Sequence, residues 1–134
     1  MIKIKLTISE LRELLKVYGK YIPLYEPANE HEDLLFEHMV FQYYHLLRIY
    51  NRVAPAATAK KRYTWNLHSR DALAFYQVWQ TVDLLADSSD SYASVIVCNV
   101  IAAIDHYSKT TQTTRQVAGQ IISIYEGNLS EITG

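Results

Sequence analysis

The chain has 134 residues, a formal net charge of −1, one cysteine and four glycines. Near-neutral charge argues against broad electrostatic binding to nucleic acid or to an anionic membrane, and no apolar run approaches bilayer length. The lone Cys98 excludes an intramolecular disulfide and fits a reducing compartment.

Apolar and charged fractions of 49% and 20% are those of an ordinary globular chain. The expectation is a single helical domain over residues 1–134, in the cytoplasm. The N-terminal MIKIKLTISE carries no signal-peptide pattern. Tyrosine outnumbers phenylalanine by 11 to 3, which points to many half-buried rings whose hydroxyls reach water or partners.

Ile2, Ile4 and Leu6 alternate with Lys3, Lys5 and Thr7, which predicts a short strand with one dry face. Thr7 and Glu10 fit a capping box at the start of a first helix. Ile8, Leu11, Leu15, Tyr18 and Ile22 form its apolar stripe, and Leu14 widens it. Pro23 ends the helix, and residues 21–28, with two prolines, read as an extended connector.

The longest helical pattern runs from Asn29 to Val53. Asn29 can accept from the first free amides, and Glu32 can reach back. Glu30, Glu32 and Asp33 suit the positive end of the helix dipole; Arg48 and Arg52 suit the negative end. At about 100° per residue, Leu35, Phe36, Met39, Tyr43, Leu46, Leu47, Tyr50 and Val53 share the core face. Leu34, Phe41 and Tyr44 fall on the opposite side, where an amphipathic helix should be polar. Either another element covers them or they bind something.

His31, His38 and His45 recur every seven residues and form a third stripe. Successive members are roughly 10.5 Å apart along the axis, so no two can share a metal from this helix alone. A metal pair on one helix needs i and i+3 or i+4.

Residues 54–61 read as a loop around Pro55. Tyr63, Trp65 and Leu67 then alternate with Thr64 and Asn66. A lone strand cannot satisfy its backbone groups. Ile2–Leu6 and Tyr63–Leu67 are therefore expected to pair, in a direction the sequence does not fix.

A third helix is expected from His68 or Ser69 to about Ala86, with Ala72, Phe75, Tyr76, Trp79, Val82 and Ala86 inward. Val78 and Leu85 widen its apolar surface. Asp83 falls inside the stripe, a costly place for a carboxylate without partners. After the turn at 87–91, a fourth helix runs to about Lys109. Ala93, Ile96, Val97, Val100, Ala103, Ile104 and Tyr107 share its face, and Cys98, Ile101 and Ala102 make its back apolar too. It is expected to be nearly surrounded, with Cys98 an inert thiol. A fifth helix is expected from Thr114 to Tyr125, ended by Gly127. The tail, 128–134, is expected to fray.

The fold expected is mainly α: a four- to five-helix bundle with a small two-stranded β element. The chain has no Gly-rich phosphate loop, CxxC, HExxH, GxSxG or paired ExxH. No catalytic residue and no cofactor are assigned, and the leaning is away from an enzyme. The leading functional expectation is a small interaction module that pairs with a second copy or another protein through Leu34, Phe41 and Tyr44. One alternative is a metal-binding helical-bundle enzyme, with His38 or His45 meeting His106 or Asp83 across helices. The other is an accessory protein that grips nucleic acid through Lys60, Lys61 and Arg62 beside Tyr63 and Trp65.

Overall fold

The computed structural model describes residues 1–110. Met1–Ile104 form one compact unit and Asp105–Gly134 a second, of which only 105–110 are described. The expected fifth helix over Thr114–Tyr125 and the tail at 128–134 lie outside the described residues.

The described residues are mainly helical, with one two-stranded sheet among them. β1 (Ile2–Thr7) pairs antiparallel with β2 (Arg62–Leu67), Ile2 opposite Leu67 and Ile4 opposite Trp65. This register follows from the alternation in both strands. It puts Ile2, Ile4, Leu6, Trp65 and Leu67 together on the buried face. Lys3, Lys5, Arg62 and Asn66 take the wet one.

Thr7 ends β1 and caps α1 (Ile8–Tyr21). Its hydroxyl accepts from the Glu10 amide, and the Glu10 carboxylate accepts from the Thr7 amide, a complete capping box. Leu11, Leu14, Val17 and Tyr18 are buried. A short 3₁₀ turn at Ile22–Leu24, built around Pro23, leads into the connector.

α2 (Glu30–Val53) starts on Asn29, whose side chain accepts from the Glu32 amide at 2.9 Å. Glu32 reaches back one residue further than expected, to the Ala28 amide. The buried positions are Leu35, Met39, Gln42, Leu46 and Ile49. That stripe is rotated from the expected one: Gln42 and Ile49 replace Tyr43 and Leu47, which are half-buried.

α3 (Ser69–Trp79) is shorter than expected. The Thr81 hydroxyl donates to the Val78 carbonyl at 2.7 Å, and the Thr81 amide uses the same acceptor. β-Branched Thr81 and Val82 disfavour continuation. Asp83 is therefore not in a buried stripe. It is exposed in the following turn, where Oδ1 accepts from the Leu85 amide. Val78 is buried rather than widening a surface.

His31 of α2 contacts Gln77 of α3, while His38 contacts Asp71. Ascending residues on one helix thus meet descending ones on the other, so α2 and α3 run antiparallel. α4 occupies residues 91–110, and its stretch to Ile104 belongs to the first unit. Ala93, Ile96, Val97, Val100 and Ile104 are buried as expected. The expectation of a nearly surrounded helix is corrected: Val95, Cys98 and Ala102 are exposed.

The core centres on rings. Phe75 lies 6.0 Å from Trp65, 6.1 Å from Trp79 and 6.5 Å from Tyr18 between centroids. A polar line threads this apolar centre. The Tyr18 hydroxyl donates to Gln42 Oε1 at 2.6 Å, and Gln42 Nε2 donates to the Asp71 carbonyl at 2.8 Å. Burial pushes the Tyr18 hydroxyl well above the ordinary tyrosine range, so it stays a donor.

Tyr18→Phe should cost about 1–2 kcal/mol by leaving the buried Gln42 oxygen unpaired. Gln42→Leu should cost a similar amount for the converse reason. The double variant should lose about 1 kcal/mol less than the two added together, read from urea unfolding midpoints. Simple additivity would mean that the two side chains are not coupled.

Candidate functional site

α2 carries two stripes with the same spacing. One is the buried set from Leu35 to Ile49. The other is exposed throughout: Glu30, Leu34, Glu37, Phe41, Tyr44, Arg48 and Asn51, in alternating steps of four and three. This is a heptad seam, the pattern by which one helix packs along another. At its centre Leu34 is 56% exposed, Phe41 69% and Tyr44 57%.

Exposed apolar residues occur elsewhere. Leu24 and Leu85 sit singly in turns, and scattered single exposures are normal on any protein. On α4 Tyr92, Val95, Asn99 and Ala102 repeat the three–four spacing, but that stripe turns polar and small after Val95 and carries no charge. Among the described residues, only the α2 set joins large apolar side chains over several turns with opposite charges at its two ends.

The seam is supported from beneath. Tyr44 packs edge-on to Tyr43, centroids 5.6 Å apart, and Tyr43 stacks on buried Tyr18 at 6.5 Å. The exposed ring therefore rests on a chain of rings that reaches the core. Such backing limits the rotamer entropy lost when a surface is covered.

The histidine stripe flanks the seam on the α3 side. His38 Nδ1 donates to Asp71 Oδ1 at 3.0 Å. His31 Nε2 meets Gln77 Oε1 at 3.3 Å. His45 borders a cleft of about 400 Å³ shared with Phe41, Trp65, His68 and Asp71. Two of the polar residues lining that cleft are tied into the fold: Asp71 Oδ1 to His38 and its carbonyl to Gln42, and both ends of the Gln42 amide to Tyr18 and Asp71.

The metal alternative had named His38, His45, Asp83 and His106. Asp71 is the carboxylate that His38 meets, and Asp83 is occupied with its own turn. His106 is exposed in the second unit. Among the described residues no group of three or more His, Cys, Asp or Glu is placed to hold a metal ion.

Lys60, Lys61 and Arg62 are exposed where the chain enters β2. Lys3 and Lys5 join them on the wet face of the sheet, Lys5 donating to Thr64 at 2.8 Å. The aromatic partners that stacking on bases requires are turned away. Trp65 is buried on the dry face, and half-buried Tyr63 lies under Lys61 at 5.5 Å.

Sequence reasoning missed two features. Asp71 carried no signal, because its role arises from the antiparallel crossing of α2 and α3. Asp90 was read only as part of a turn. It is fully buried, accepting through Oδ2 from Lys20 at 2.7 Å and from the Tyr21 hydroxyl at 2.6 Å. Lys16 stands 3.8 Å from its Oδ1. This cluster fastens the end of α1 to the turn before α4.

No helix among the described residues is long and apolar enough to cross a membrane. Compared with known proteins, the chain matches no family model, no curated protein and no solved structure.

Proposed function

We propose that this protein is a small, non-catalytic protein–protein interaction module that forms a homodimer through the exposed face of α2. The observation that carries the reading is the seam itself. Leu34, Phe41 and Tyr44 lie open on a helix whose other apolar stripe is already buried. Contiguous aromatic exposure of this kind is what interfaces use, and two-fold homodimers are the commonest assembly. A cytoplasmic setting fits the single cysteine.

Light scattering tests the proposal. The wild type should sediment and scatter as a dimer at tens of micromolar. Phe41→Glu should weaken association by about 100-fold or more, because each dimer would then bury two carboxylates in place of two rings. Far-UV circular dichroism of that variant should be unchanged, since Phe41 supports nothing internally. A wild type that stays monomeric at that concentration contradicts the reading.

A further inference from the structure

We infer that the two copies pair with their α2 helices antiparallel, in the register that sets Phe41 against the partner's Tyr44 and Glu37 against the partner's Arg48. This rests on the dimer reading above and gives it a geometry.

The charge order along the seam selects the direction. Glu30 and Glu37 lie toward its N-terminal end, and Arg48 toward its C-terminal end. A parallel pair would set each of these residues against its own copy, so like would face like at three levels. Juxtaposed like charges are a recognised means of rejecting an arrangement. Reversing one helix brings the acidic half of each copy onto the basic half of the other.

The heptad then fixes the register. In antiparallel packing, knobs of the two alternating classes share a layer. One alignment gives Phe41 with Tyr44, Glu37 with Arg48, and Leu34 with Asn51, each twice by symmetry. The centre is wholly aromatic, ion pairs flank it on both sides, and no charge is left facing an apolar ring. Sliding one heptad toward the N-terminus sets Glu37 against Phe41, which desolvates a carboxylate without a cation. Sliding one heptad the other way leaves Glu37 and Leu34 beyond the paired stretch. The favoured overlap, Leu34 to Asn51, is about 26 Å long, roughly three quarters of α2 (Glu30–Val53).

The experiment is directed disulfide formation in a Cys98→Ser background, because Cys98 is exposed. Leu34→Cys and Asn51→Cys proteins are oxidised separately and mixed, with light scattering run on each. The geometry requires a cross-linked dimer from the mixture and none from either protein alone. The two Leu34 positions would be roughly 26 Å apart, far beyond disulfide reach. Glu37→Arg and Arg48→Glu should each weaken the dimer about tenfold or more, and the double exchange should restore it.

Self-cross-linking of each protein alone would mean a parallel pair, overturning the register while leaving the dimer reading intact. Dimers by light scattering with no cross-link in any sample would overturn the geometry and move the contact elsewhere. Monomers throughout would overturn both.

Discussion

Phe75→Ala is expected to remove about 3–5 kcal/mol of stability and to lower Tm by about 10–20 °C. Phe75 is fully buried on α3, with Trp65 of β2, Tyr18 of α1 and Trp79 all in ring contact. Sheet, first helix and third helix therefore meet at one side chain. Truncation deletes the ring's burial and leaves a cavity, and these two costs add. Flanking rings are too constrained by one another to collapse into the gap. Phe75→Leu should recover much of the loss by refilling volume. Thermal unfolding of the three proteins checks this. A loss below about 1 kcal/mol for the alanine variant would mean that the ring cluster is not the centre of the fold.

Removing the charge of Asp90 is expected to have the next largest effect on stability, and one that depends on pH. Lys20 first, and then the Tyr21 hydroxyl, hold its carboxyl below the usual carboxylate range. Lys20 is correspondingly pushed up by Asp87 and Asp90. A folded-state pKa below the unfolded value near 3.9 means that the pair stabilises fully above about pH 4. That contribution fades as pH falls through the lower, folded value. Asp90→Asn should therefore cost about 1–3 kcal/mol near neutral pH, and its deficit should shrink as pH falls below about 4. Lys20 is partly exposed and can turn to water, which limits the loss. Urea unfolding of both proteins across that range checks it. A deficit that is the same at every pH would assign the effect to packing rather than charge.

Local signals were legible where the sequence itself supplies both partners. Thr7 and Glu10 cap one another within one turn, and the Asn29 cap is equally local. The strand pairing was legible because two alternating stretches had no one else to pair with. Its antiparallel sense was not, because alternation is blind to direction.

Non-local choices were not legible. Gln42 looks like a surface residue until Tyr18 and Asp71 arrive from other helices to satisfy it. The end of α3 was misjudged because the apolar spacing of Val82 and Ala86 continues past the point where the Thr81 hydroxyl takes the Val78 carbonyl. Asp90 gave no warning, since its cations lie some 70 residues earlier in the chain. At the proposed interface, Leu34, Phe41 and Tyr44 stood out because periodicity assigns a face without needing a partner. The same periodicity places Glu37, Arg48 and Asn51 beside them, so the charges that orient the seam were legible too.

The covering of that seam can be measured directly by hydroxyl-radical footprinting of the full chain over a range of protein concentrations. Leu24 and Leu85, exposed in turns and not part of the seam, serve as internal standards. Oxidation of Leu34, Phe41 and Tyr44 should be fast at nanomolar concentration and fall several-fold by tens of micromolar, while the standards keep a constant rate. Equal rates for both sets at every concentration would contradict self-association through this face.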